Sequence, residues 1–174
     1  MKLIRIVVAI LCVTSLAALR AGYADEPAQR GGARLDDALL QNMIGSWKVS
    51  RRIRGTVVGN TLEAEWVLQH QFVQLHMKDV TEPSQYEALV LIGFDSNKNR
   101  YVAYWCDSLG AQYSGVGYGA RTGNVIEFTF NYPDGPFHNT FSWKPDGNTW
   151  SLLMEAEGKD GTRTFFAEDT LRRK

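Results

Sequence analysis

The chain has 174 residues, 44 % of them apolar, and its 19 basic and 19 acidic side chains leave no net charge. That balance excludes the strongly basic face of a nucleic-acid binder. The length is that of one domain with room for one substantial core.

In chain order, the first element is a processing segment. Lys2 and Arg5 precede an apolar run from Ile6 to Leu19, and Gly22-Tyr23-Ala24 supplies small residues at the two positions a signal peptidase reads. Residues 1–24 therefore read as a signal peptide cleaved after Ala24, with a periplasmic or secreted product. The run is too short for a stable membrane anchor and is broken by Thr14, Ser15 and Arg20. Cys12 lies inside it behind Ile10-Leu11, without the small residues that precede a lipidation site. Cleavage leaves 150 residues with 16 basic and 19 acidic side chains and one cysteine, Cys106, so an internal disulfide is excluded. Residues 25–34 are polar and without period, a flexible leader, and residues 35–174 form a single domain.

Leu35, Leu39 and Met43 recur at steps of four, with Leu40 and Ile44 beside them, acids at Asp36 and Asp37, and Gly45 at the end. This spacing predicts a short amphipathic helix. After Trp47 the period becomes two, and turn signals recur about every ten residues. They fall at 58–60, 82–84, 95–99, 121–124, 133–136, 145–148 and 158–161. Between them lie ten segments rich in Val, Ile, Thr and aromatics, 47–54, 61–69, 72–80, 86–94, 101–107, 112–119, 125–132, 137–144, 149–157 and 163–172. Ten strands joined by hairpins predict an all-β, antiparallel up-and-down barrel, because closure removes the exposed edges of so long a sheet. Ile126, Phe128, Phe130 and Tyr132 share one face of their strand, as do Trp150, Leu152 and Met154 of theirs. The 101–107 segment carries bulk on both faces.

The short helix, Gly45-Ser46-Trp47, the Gly93-Phe94-Asp95 turn, Arg100-Tyr101, Trp105-x-Asp107-Ser108-x-Gly110 and Gly115 resemble an uncharacterised bacterial family, domain of unknown function 1579, over about residues 35 to 173. The Gly-x-Trp opening is similar to that of lipocalin-like, calycin-type barrels. That likeness implies a tryptophan, Trp47, plugging one end, with Arg172 or Arg173 of the last strand packed across it. It brings no established activity.

Candidate chemistry is sparse. Cys106 and Asp107 are neighbours on a strand and point to opposite faces, so they cannot converge on one substrate, and Cys106 reads as a buried apolar cysteine. None of His70, His76 and His138 sits in a dense metal motif, and no cofactor is expected. His76 shares a face with Phe72 and Gln74 and reads as a histidine that can enter the barrel, where haem ligation is an alternative because related ten-stranded barrels include the haem-binding nitrobindin type. His138 groups with Thr140 and Ser142 on a polar face that meets water. Glu63 and Glu65 read as a solvated outer face, and Glu87 and Glu155 form no evident acid–base pair with them. Arg51 shares the face of Trp47, so it needs a carboxylate partner or an anionic ligand if buried.

The inward-capable aromatics Trp66, Phe72, Tyr86, Tyr104, Trp105, Phe128 and Phe130, with few convergent ionisable groups, suit a simple ligand cavity. The expected function is an exported, non-enzymatic protein binding a small apolar or amphipathic ligand inside the barrel. Trp66, His76, Tyr86, Trp105 and Asp107 are its candidate ligand-binding residues. The alternatives are a packed barrel acting as a protein-interaction or envelope module, and a haem-binding barrel or an enzyme of unknown reaction. A cavity above ~300 Å³ distinguishes the first reading from the second.

Overall fold

The computed structural model of the protein describes residues 34–174. The signal peptide expected at 1–24 and all but the last residue of the leader lie outside them. Ten strands follow one short helix, α1 (Ala38–Gln41). They are β1 (Gly45–Ile53), β2 (Thr56–Val67), β3 (Phe72–Asp79), β4 (Glu87–Asp95), β5 (Arg100–Asp107), β6 (Gly115–Thr122), β7 (Val125–Tyr132), β8 (Gly135–Lys144), β9 (Thr149–Glu157) and β10 (Arg163–Arg173). Each strand pairs antiparallel with the next, and β1 closes the ring by pairing with β10, so the barrel is an uninterrupted meander. The only other helical turns described are single 3₁₀ turns at Ala111–Tyr113 and Pro145–Gly147.

Most predicted strand boundaries lie within a few residues of the observed ones, and β2 is the exception. Its turn is Arg54-Gly55 rather than Val58-Gly59-Asn60, and both residues adopt positive φ (50° and 77°), the backbone twist a tight hairpin requires. Glycine at position 55 takes that conformation without strain. Gly59 instead continues the strand opposite Ser50. The helix is also shorter than its apolar spacing predicts, because the chain turns at Asn42 to enter β1.

Alternation sorts each strand into an inner and an outer row. The inner rows hold Trp47 and Val49, Leu62 and Ala64, Val73, Leu75 and Met77, Ala88, Val90 and Ile92, with Trp105, Phe128, Phe130, Phe141, Trp150, Leu152, Met154 and Leu171 on the later strands, all buried. Strand β6 contributes glycines to this row. A Cβ on Gly117 would stand 2.6 Å from the Phe130 ring, which lies over β6 only because that side chain is absent, and one on Gly115 would stand 3.2 Å from Tyr132, a tight fit. The aromatics consequently fill the barrel. The enclosed void lined by Leu62, Leu75, Met77, Val90, Trp105 and Phe141 measures about 10 Å³, room for one water at most and far below a small-molecule cavity.

Candidate functional site at the barrel mouth

The two ends of the barrel are built differently. The end holding the start of β1 is closed by α1. Asp37 caps that helix by accepting from the backbone N–H of Leu39 (2.8 Å) and Leu40 (3.0 Å), and it also accepts from the Tyr101 hydroxyl. Trp47 Nε1 donates to the Met43 carbonyl (2.8 Å) and Trp150 Nε1 to that of Asn42 (3.3 Å). Arg173, rather than Arg172, lies over the Trp47 ring at 4.2 Å and donates to the carbonyls of Ile44 and Asn42. The short helix thus leaves few carbonyls unpaired where it ends.

The opposite end is a mouth formed by the ends of the odd-numbered strands. On its floor Arg51 donates from Nε and Nη2 to the two carboxylate oxygens of Asp169 at 2.7 and 2.8 Å. The two residues face each other across β1 and β10, and both are buried. Burial, the largest single influence, works to lower the Arg51 pKa, but the hydrogen bond to Asp169, the charge of Asp169 and Tyr86 together outweigh it and hold the guanidinium above its ordinary range. Burial likewise pushes the Asp169 carboxyl above the usual range, against the pull of Arg51. Arg51 also stacks over the Tyr86 ring at 5.1 Å. Burial raises the Tyr86 phenol, Arg51 opposes that shift and the charge of Asp107 adds to it.

Asp107 hangs at the end of β5 beside Trp105. Its carboxylate accepts from the Leu109 N–H at 3.0 Å, capping the turn out of the strand, and from Trp105 Nε1 at 3.3 Å. Among the described residues no cation pairs with it. Rings run from Trp105 along one side of the mouth: Phe130 (6.4 Å), Tyr132 (6.2 Å further), Phe137 (6.3 Å) and Phe166 (5.3 Å). Phe166 sits at an irregularity in the β10 register between Phe165 and Ala167, and such bulges redirect side chains at barrel rims. Around the mouth Val57, Val58, Val80, Leu109, Tyr113, Phe165 and Phe166 are exposed. Two buried amides of the inner rows, Asn60 Nδ2 and Asn139 Oδ1, have no hydrogen-bond partner among the described residues.

The structure therefore brings Tyr86, Trp105 and Asp107 to one place and separates the other two candidates from them. Trp66 lies at the closed end, donating to Gln41 Oε1 (2.8 Å) and stacking on His70 at 4.0 Å. His76 is on the outer face, paired with Glu87 at 2.5 Å. It does not enter the barrel, because Val73, Leu75 and Met77 take the inner row of β3 and leave Phe72, Gln74 and His76 the outer one. A haem ligand from His76 is excluded by the same parity. Phe72 and Tyr104 likewise meet outside the barrel. Cys106 is exposed rather than buried, and His138 is buried although its face points outward, held between Glu157 (2.6 Å) and Glu127 (3.8 Å). Among the described residues no three His, Cys, Asp or Glu side chains gather as metal ligands.

Sequence reasoning missed Arg51–Asp169 as a pair and Tyr132, Phe137 and Phe166 as mouth residues. The available signal was parity: Asp169 shares a face with Ala167 and Leu171, so an acid stood on an apolar row.

The family model described as "Protein of unknown function (DUF1579)" matches residues 35–173. The crystal structure of Rv2717c from M. tuberculosis superposes with a TM-score of 0.54 at 12 % identity, covering 79 % of this chain and 98 % of that one. A redesigned β-barrel gives a TM-score of 0.33 at 13 % identity, covering 78 % of this chain and 95 % of its own. The likeness to Rv2717c is one of fold. No curated protein matches the chain.

Proposed function

The chain belongs to the DUF1579 family, proteins of unknown function, and from that premise we propose that it is an exported, non-enzymatic protein that binds a small amphipathic ligand at the barrel mouth. The reading is carried by one observation: a buried Arg51–Asp169 pair lies at the end of the barrel where exposed apolar side chains gather. Burying two charges is no cheaper than packing two apolar groups, so the pair is weak evidence of a stabilising role and marks this end, rather than the pair itself, as the place of recognition. The ligand's polar part meets Tyr86 and Asp107 while its apolar part lies along Phe137 and Phe166. Because the interior is filled, the ligand rests in the mouth and is not engulfed. The first 24 residues support export.

The test is binding of a neutral apolar probe, N-phenyl-1-naphthylamine, followed by its emission. The wild-type chain is expected to bind it, and Phe166→Asp to lose binding with an unchanged unfolding midpoint, since Phe166 is half exposed. No binding by the wild type, or equal binding by the variant, overturns the reading. A second reading, a packed barrel acting through its outer surface, is favoured by the 10 Å³ void, and failure of the probe to bind selects it.

A further inference from the structure

We propose that the group recognised at the mouth is an organic cation, an amine or quaternary ammonium carried by the amphipathic ligand. The inference rests on the mouth reading and names the chemistry of the ligand's head.

The charge of Arg51 is cancelled by the two-pronged contact with Asp169, so neither is available to a counterion. The carboxylate of Asp107 is not cancelled, for it meets only neutral donors, the Leu109 N–H and Trp105 Nε1. Asp79, at the same end of the barrel on β3, is likewise held by neutral donors, the Thr81 hydroxyl and the Gln85 N–H. Around Asp107 stand aromatic rings, Trp105 with its Nε1 edge toward the carboxylate and Tyr86 with Arg51 over one face. Trp105 is on the same strand face two residues away, and Tyr86 lies two residues from Ala88, the cross-strand partner of Asp107. Tyr132 is laid over Gly115, the cross-strand partner of Trp105, so closely that a Cβ there would stand 3.2 Å from its ring. The Tyr132 hydroxyl donates to the Tyr113 carbonyl (3.1 Å), and its ring is stacked on Phe130 on one side. Burial is the main cause that raises the phenols of Tyr86 and Tyr132, and the negative charge of Asp107 adds to the rise in both, against Arg51 at Tyr86. An anion brought here would meet an uncancelled carboxylate. A cation would meet a counterion with aromatic rings beside it, the pairing of groups that holds quaternary ammonium ions.

The experiment uses the purified chain and three decyl amphiphiles below their micelle concentrations: decyltrimethylammonium, decyl maltoside and decyl sulfate, titrated by tryptophan fluorescence and calorimetry. The cation is expected to bind about tenfold tighter than the neutral maltoside, equivalent to about 1.4 kcal/mol, and the sulfate weakest. Asp107→Asn should reduce the cation to the level of the maltoside while maltoside binding is unchanged, which also establishes that the variant mouth is folded. Asp107→Glu should retain the preference. Equal binding of cation and maltoside, or tighter binding of the sulfate, overturns the cation assignment and leaves the mouth reading standing. Absence of binding by all three overturns both.

Discussion

The closed end and the mouth of this barrel are made from the same strands and treat polar groups in opposite ways. At the closed end the polar atoms of Trp47, Trp150 and Arg173 find carbonyls supplied by the residues that end α1, within hydrogen-bond distance. At the mouth a charge pair is buried, and a carboxylate stands without a cation among the described residues. Two buried amide atoms in the inner rows also lack partners there. One end is arranged for closure, and the other carries costs that closure does not require. Arg100 Nε at the closed end also lacks a hydrogen-bond partner among the described residues, so the contrast rests on the fully buried ion pair of the mouth, and a cost of that kind is where function is expected.

The largest expected effect tests the closed end. Trp47 is fully buried and is clamped between Arg173 and the helix. Trp47→Ala should destabilise the protein by about 3–5 kcal/mol, through lost burial, an unfilled cavity and a guanidinium without its aromatic face. A urea midpoint unchanged from wild type would break the comparison, because the closed end would then not be the element that holds the barrel shut.

The next effect tests the mouth. Arg51→Met leaves Asp169 buried and uncompensated, and should cost on the order of 3 kcal/mol at neutral pH. The loss should shrink toward acid pH, since burial already raises the Asp169 carboxyl and protonation then removes the unpaired charge. The double variant Arg51→Met with Asp169→Leu should recover most of it, ending within about 1 kcal/mol of wild type. A double variant as unstable as the single one would place the pair on the same footing as Trp47, and the contrast between the two ends would disappear.

The legibility of the two ends differs for a physical reason. The closed end was readable because its signals are local: a four-residue period from Leu35 to Met43, then Gly-x-Trp, which resembles other barrels. Ten strands were readable from alternation and turn residues. The mouth joins residues far apart in sequence, Arg51 with Asp169 and Trp105 with Phe130, and their meeting depends on a register that no local pattern states. His76 was misplaced although the alternation carried the answer: Val73, Leu75 and Met77 form the apolar row of β3, and Phe72 is the one apolar residue on the row of Gln74, His76 and Lys78. Filling of the interior was not readable either, because it follows from glycines on β6 facing rings on β7 across one ladder.

The smallest expected effect sets carboxyl groups of the two ends against each other by pH. Glu63, on the outer surface near the closed end, accepts from the Ser46 hydroxyl and from Lys174 Nζ (2.9 Å), and these contacts, the Ser46 bond foremost, hold its carboxyl below the ordinary value of 4.5. A depressed carboxyl contributes stability that is present above its unfolded value and lost as the pH falls through the lower folded one. Asp169 has the opposite sign. Its raised carboxyl binds a proton more tightly in the folded chain, so its penalty is absent below the ordinary 3.8 and grows as the pH rises through the raised value. Glu63→Gln should therefore cost about 0.2–1 kcal/mol at pH 7, the range of an exposed pair screened by water, and progressively less below about pH 4.5. Urea midpoints of wild type and variant from neutral to acid pH measure this directly. Parallel curves that never converge would mean that Glu63 acts through packing, and acid sensitivity could not then be assigned to the closed end.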